Sequence, residues 1–240
     1  MAEIIPAILE KSFNGVTEKL ERVLGVTRTV QLDICDGVFV PSLTWPYTAP
    51  MFAEEPLHYD DYFKQIVSGE GEVDMPYWED FDFELDLMIA DAKRLLPNLL
   101  TIGPSRIIFH AEAFSDLHSQ MHELIRMVPP IIEIGVAINP DTKPEILFPI
   151  LDEKIVSFVQ CMGISKIGYQ GQNFDERVYE NLKILRAKYP ELPLAVDGSV
   201  KQDFAKKLVE AGATRLVSGS AIFSAEKIAD RIAEFERVIQ

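Results

Sequence analysis

The chain has 240 residues, 48% of them hydrophobic and 10% aromatic, enough to bury one substantial core. Glycine (13) and proline (15) are near average, which excludes collagen-like and low-complexity chains. The formal charge of −15 argues against a nucleic-acid backbone or an anionic membrane as the main partner.

Taken in chain order, the apolar runs Ile4–Leu9 and Thr29–Asp33 predict two strands. Residues 52–86 then hold twelve acids against Lys64 alone, a local charge of −11 that leaves −4 for the rest of the chain. This reads as a solvated acidic insertion at about 47–82, with a short helix at Tyr59–Val67. Further strand runs lie at Phe83–Ile89, Arg106–His110, Ile132–Ile138, Val156–Met162, Leu194–Asp197 and Arg215–Gly219. Most are near-continuous in Val, Ile, Leu and Phe, as expected of parallel strands covered by helices. The segment from Asn173 to Arg186 carries apolar residues at 174, 178, 182, 184 and 185, a helix stripe. Val200–Ala211 repeats the pattern with Gly212 as its stop, and Ala225–Ile239 sets Ile228, Ile232, Phe235 and Val238 on one side.

Eight strand runs separated by helices predict an α/β chain folded as a (β/α)8 TIM barrel, one domain over residues 1–240. A doubly wound dinucleotide binder would need G-x-G-x-x-G after its first strand. Here that strand runs into Glu-Lys-Ser-Phe-Asn-Gly. No apolar run reaches the roughly 18 residues of a spanning helix, and the first residues lack the basic region of a secretory signal. Cys35 and Cys161 form neither a disulfide framework nor a C-x-x-C pair, so a cytoplasmic protein is expected.

Catalytic groups in such barrels come from strand C-termini and the loops after them. Alternation puts Gln31, Asp33 and Cys35 on one strand face, so Asp33 and Asp86 are expected in the barrel mouth from neighbouring strands. Asp197 enters from the far side. A lone strand-end aspartate is most simply a cap; three at one mouth point to chemistry. Gly171, Gly198–Ser199 and Gly219–Ser220 offer bare backbone N–H groups after the last three strands, where barrels bind phosphate. The acidic excursion leaves the second strand at this same face. Its Trp45, Tyr47, Phe52, Tyr77 and Trp78 are available as a lid, the alternatives being a subunit contact or a solvated loop. His118 and His122 stand i, i+4 on a predicted helix, the spacing of a zinc pair. No Glu follows at 119 and the helix lies far from the mouth, so they read as surface histidines.

Several stretches together resemble one family. They are Ile5-Pro-Ala-Ile-Leu9, Asp33-Ile-Cys-Asp-Gly-Val-Phe-Val-Pro41, Leu85-Asp-Leu-Met-Ile89, His110-Ala-Glu112, Gly135-Val-Ala-Ile-Asn-Pro140, Gly168-Tyr-Gln-Gly-Gln-Asn-Phe174, Val196-Asp-Gly198 and Val217-Ser-Gly-Ser-Ala-Ile-Phe223. In this order the chain resembles the ribulose-phosphate 3-epimerases, nearly end to end outside the insertion.

The resemblance implies a ribulose-phosphate-binding barrel. In that family two aspartates, at positions matching Asp33 and Asp197, act as catalytic acid and base on opposite faces of a ketose phosphate. It also implies a divalent metal held by His, Asp, His and Asp, which here correspond to Gln31, Asp33, Asp86 and Asp197. Both histidines are replaced, and oxygen donors favour Mg²⁺ or Mn²⁺ over Zn²⁺. Ala7 stands for a family Ser, Cys35 for a Met, and Lys166-Ile167 for Asn-Pro. Met88 matches a pocket methionine, while His110 and Glu112 are expected behind the site. Met88, Gly168, Gly171, Gly198, Ser199, Gly219 and Ser220 are the substrate and phosphate positions. The expected activity is epimerisation of ribulose 5-phosphate and xylulose 5-phosphate. A hexulose-phosphate 3-epimerase and an inactive sugar-phosphate-binding barrel are the alternatives. The expected partners are a phosphorylated ketose and further copies of the chain, with no nucleic acid and no membrane.

Overall fold

The computed structural model describes residues 2–69, 73–169 and 171–239. Glu70 and Glu72 of the acidic window and Gln170 of the glycine-bearing loop lie outside the described residues. Eight parallel strands close in sequence order: β1 (Glu3–Ile8), β2 (Thr29–Cys35), β3 (Asp82–Met88), β4 (Arg106–His110), β5 (Glu133–Ile138), β6 (Phe158–Met162), β7 (Leu194–Asp197) and β8 (Arg215–Ser218). The barrel expectation is met. The helices are α1 (Phe13–Val23), α2 (Asp61–Ser68), α3 (Ala92–Leu99), α4 (Leu117–Leu124), α5 (Phe148–Asp152), α6 (Val178–Lys188), α7 (Gln202–Glu210), α8 (Ser220–Phe223) and α9 (Ile228–Ile239). None among the described residues is long and apolar enough to cross a membrane.

The main core lies between strands and helices rather than inside the barrel. Leu20, Phe63, Leu95, Leu182, Leu208 and Phe235 bury one stripe of their helices against the outward faces of the strands. The barrel interior is a smaller cluster that includes Cys35, Met88, Ile108, Phe158 and Met162. Phe158 fills it because β5 presents Gly135 at the register partner of that residue, and a Cβ there would lie 2.4 Å from the ring.

At the floor, Arg215 of β8 contacts the Glu84 carboxylate across the barrel. Arg106 reaches the same oxygen at 2.7 Å, and Arg215 also pairs with Glu3 at 2.8 Å. Glu84 and Asp86, which follow the acidic insertion on β3, are both buried: Glu84 in this ion cluster and Asp86 one layer above it, at the mouth as expected. Removing Glu84 would take away the buried carboxylate that the two guanidinium groups share and leave each with one more exposed partner, Glu3 for Arg215 and Glu133 for Arg106.

Two helix readings need correction. The segment from Asn173 does not start as a helix, because the Asp175 carboxylate accepts from Arg177 N and from Ser165 Oγ and holds the chain as a loop until Val178. On α9 the buried stripe is Ile228, Ile232, Phe235 and Ile239, and Val238 is turned outward.

The excursion between β2 and β3 is the site of a larger departure. Trp45 and Tyr47 are buried, packing respectively on Phe13 and Phe63 and on Tyr59, with α2 taking the ordinary place of a barrel crossover helix. Tyr77 donates its hydroxyl to Glu21 on α1, at 3.0 Å. The aromatic residues expected over the mouth thus pack outside the barrel or stay exposed, as Phe52 and Trp78 do. Burial of large rings against the helix layer outweighs covering the open barrel mouth.

Candidate active site

The mouth is built by alternation and register. Asp33 on β2 and Asp86 on β3 are direct register partners, and Asp197 ends β7 beside Met162. Each of the three offers a carboxylate oxygen, and these atoms lie within 4.8 Å of one another. Gln31, two residues before Asp33 and so on the same face, is fully buried beneath them. Its Nε2 donates to Asp33 Oδ1 and to Asp197 Oδ2, both at 2.8 Å. Asp86 takes its partners from behind: His110 Nε2 lies 2.9 Å from Oδ1, and Gln160 Nε2 donates to Oδ2 at 3.3 Å.

Three acids in one buried mouth repel each other. At about 4 Å and an effective dielectric near 20, a like-charged pair costs on the order of 4 kcal/mol. Burial, then the charges of Asp197 and Asp86, pushes the Asp33 carboxyl well above the usual carboxylate range. Burial and the Asp86 charge push Asp197 up to about 7. Lys166 does not relieve this, for it stays exposed on the loop after β6.

These residues fit a hard cation. Three carboxylates converge with all-oxygen chemistry, and Gln31 Oε1 is buried without a hydrogen-bond partner among the described residues. In the arrangement seen, however, the Gln31 amide turns its nitrogen to the carboxylates. Asp33, Asp86 and Asp197 could hold a divalent ion as they stand, and Gln31 could join them after its amide turns over.

Above the acids lies a cavity. Its wall includes Asp33 and Asp197 and all seven residues expected to bind substrate and phosphate: Met88, Gly168, Gly171, Gly198, Ser199, Gly219 and Ser220. Gly198 has φ +104, and a Cβ there would lie 2.6 Å from Ile164, so the strand end and its turn need glycine. Ser199 follows at φ +53 and donates its hydroxyl to Gln172 O, joining the loops after β6 and β7. Gly219 caps the first turn of α8.

A stretch that carried no assigned role packs beside the site. Asp36 Oδ1 accepts from Val38 N and Phe39 N, both at 2.8 Å, and its Oδ2 from Ala90 N at 2.7 Å. This pins the loop after β2 to the end of β3. It sets Phe39 against His110, ring centroids 5.7 Å apart, and Val40 against Gly168, where a Cβ would come within 2.8 Å of Val40. Gln160 was also missed. Its signal is a lone polar residue in the apolar run of β6, two positions before Met162 and hence on the same face. Glu112 sits behind the site as expected, accepting from Asn139 N at 2.7 Å and from Thr142 Oγ1 at 2.5 Å.

A closed (β/α)8 barrel with acids at the strand ends and glycine-rich turns after β6, β7 and β8 has the architecture of a barrel enzyme. A sequence model of the ribulose-phosphate 3 epimerase family matches residues 56–223, and the chain belongs to that family. It is 27% identical over 241 residues to the cytoplasmic isoform of ribulose-phosphate 3-epimerase from Oryza sativa subsp. japonica, covering 100% of this chain and 95% of that one. It is also 27% identical over 229 residues to the ribulose-phosphate 3-epimerase of Bacillus subtilis (strain 168), covering 93% of each. Among solved structures, a ligand complex of KGPDC from Streptococcus mutans superposes with a TM-score of 0.68 at 14% identity, over 99% of this chain and 97% of that one. A 3-hexulose-6-phosphate synthase gives 0.64 at 16% identity over the whole of both chains. At these identities the two structures speak for the fold.

Proposed function

We propose that this chain is a ribulose-phosphate 3-epimerase, interconverting D-ribulose 5-phosphate and D-xylulose 5-phosphate, with residues 1–240 working as one barrel domain and Tyr47–Asp82 as its insertion. The same reading takes it as a cytoplasmic homo-oligomer. The observation that carries the activity is the pair Asp33 and Asp197, which enter one cavity from strands separated by β1 and β8 and share a single amide donor. Inversion at a carbon next to a ketone needs two acid/base groups, one on each face.

In the proposed reaction the Asp33 carboxylate takes the proton from C3. The C–H electron pair becomes the C2–C3 double bond, and the carbonyl pair moves onto the oxygen as an enediolate. Asp197, protonated, returns a proton to the other face of C3. The two exchange roles in the reverse direction. Burial and mutual repulsion favour a state in which one of the two holds a proton near neutral pH. The glycine turns after β6, β7 and β8 take the phosphate through backbone N–H groups, and Met88 packs on the carbon chain. When bound, an ion held by Asp33, Asp86, Asp197 and Gln31 supplies positive charge for the enediolate oxygen, and oxygen donors select Mg²⁺ or Mn²⁺ over Zn²⁺.

A second reading, an inactive sugar-phosphate binder, is favoured by Gln31 and Asp86 standing where the family has histidines. Interconversion assays with a panel of ketose phosphates, with and without Mn²⁺, separate the two. Turnover of ribulose 5-phosphate supports the epimerase, and preference for a hexulose phosphate moves the assignment to that substrate. Binding without turnover on any ketose phosphate, in either condition, overturns the enzyme.

A further inference from the structure

Away from the mouth, the helix layer carries a second convergence of ligand atoms. Asp116 caps α4 by accepting from Ser119 N at 3.1 Å, which fixes the phase of the helix and puts His118 and His122, one turn apart, on a common ridge. Their rings stand edge to face, with centroids 4.8 Å apart. α5 packs alongside and ends at Glu153, after which Lys154 turns the chain at φ +57. The Glu153 carboxylate comes back across the helix pair. Oε1 lies 2.8 Å from His118 Nε2 and Oε2 lies 2.9 Å from His122 Nε2.

A simple ion pair would need one histidine. Here two imidazoles turn the same nitrogen to one carboxylate, and the ligand atoms of all three residues lie within 4.8 Å of one another. Bonds of about 2.0–2.2 Å to a central ion set ligand atoms roughly 3–3.5 Å apart, a little wider than the two nitrogen–oxygen separations of 2.8 and 2.9 Å. Two imidazole nitrogens and a carboxylate suit zinc, nickel or copper rather than magnesium. The side chains are 45%, 37% and 48% exposed, so an ion can enter from solvent and water can complete its shell.

We propose that His118, His122 and Glu153 form a surface metal site, distinct from the barrel mouth, that binds a borderline divalent ion (Zn²⁺, Ni²⁺ or Cu²⁺) and clips α4 to α5. An ion that binds the folded state alone raises stability by mass action. The site stands apart from the epimerase reading, since no residue of the triad lines the mouth cavity.

The test uses the full chain in excess Mg²⁺, with Cu²⁺ as spectroscopic probe and Zn²⁺ as stabilising ion. The expected electron paramagnetic resonance spectrum of equimolar Cu²⁺ shows coupling to two imidazole nitrogens, reduced to one in His118→Gln and in His122→Gln. Zn²⁺ should raise the melting temperature of the wild type and of Glu153→Gln less than the wild type. It should leave the double variant His118→Gln/His122→Gln unmoved. That variant, on an exposed helix ridge, should match the wild type in circular dichroism and in metal-free melting, and retain turnover in Mg²⁺. An unchanged Cu²⁺ spectrum in the double variant would overturn the site. So would a Zn²⁺ shift that survives in the double variant but disappears in Asp86→Ala, which would put the ion at the mouth.

Discussion

His110 and Asp86 face each other, fully buried, with Nε2 2.9 Å from Oδ1. His110 at the end of β4 is the group placed to balance the Asp86 carboxylate. Truncating Asp86 would leave this imidazole buried without its partner, while an asparagine would keep a hydrogen bond and lose the charge.

The charge at 86 bears directly on the proposed metal site. Mn²⁺ is expected to stimulate turnover, Asp86→Ala to remove that stimulation, and Asp86→Asn to weaken Mn²⁺ binding while retaining the fold. Direct Mn²⁺ binding, read by electron paramagnetic resonance, checks the same point without an activity assay. Full activity in excess chelator after verified metal removal would rule out a metal requirement.

Asp33→Asn and Asp197→Asn should each lower epimerisation by about 10²–10⁴ while phosphate-ligand affinity changes little. Exchange of the C3 proton with solvent deuterium gives an independent reading. A variant of either residue with near-native turnover would sink the two-aspartate scheme.

Gly219→Leu places a side chain on the cavity wall beside Ser220. Binding of ketose phosphates should weaken by at least about tenfold, roughly the loss of one or two charge-assisted hydrogen bonds, and unphosphorylated ketoses should be spared. Equal losses for both ligand types would instead indicate damage to the barrel.

Trp45 is 1% exposed and packed between Phe13 and Phe63, so its role is structural. Trp45→Ala should cost about 3–5 kcal/mol in denaturant unfolding. The protein that remains folded should keep a near-native KM. A large rise in KM without loss of stability would restore the lid.

Burial pushes the Cys161 thiol up to about 12 from its ordinary value of 9.0. The native state therefore keeps this proton at pH values where the unfolded chain has lost it. The resulting stability is complete below pH 9 and is lost as pH rises towards 12. The difference in unfolding free energy between wild type and Cys161→Ala should shrink across that window. A constant difference would mean that the thiol titrates normally in the folded state.

The sequence by itself determined the barrel, its eight strands to within a residue or two, and the layer of acids at its mouth. Those features are local: near-continuous apolar runs mark strands covered by helices, and a period of two decides that Gln31 and Asp33 share a face. The glycine turns were legible for the same reason, since Gly198 at φ +104 is a demand of its own backbone. Only the tertiary structure decided what those residues meet. Register between β2 and β3 set Asp33 opposite Asp86, and barrel closure brought Arg215 to Glu84 and Gln31 to Asp197. Packing of α5 on α4 delivered Glu153 to His118 and His122 from more than a full strand and loop away in the chain. Packing against Phe13, Phe63 and Tyr59 drew Trp45 and Tyr47 into the helix layer, away from the mouth. Such pairings depend on where distant segments dock, and no periodicity within either segment encodes its partner.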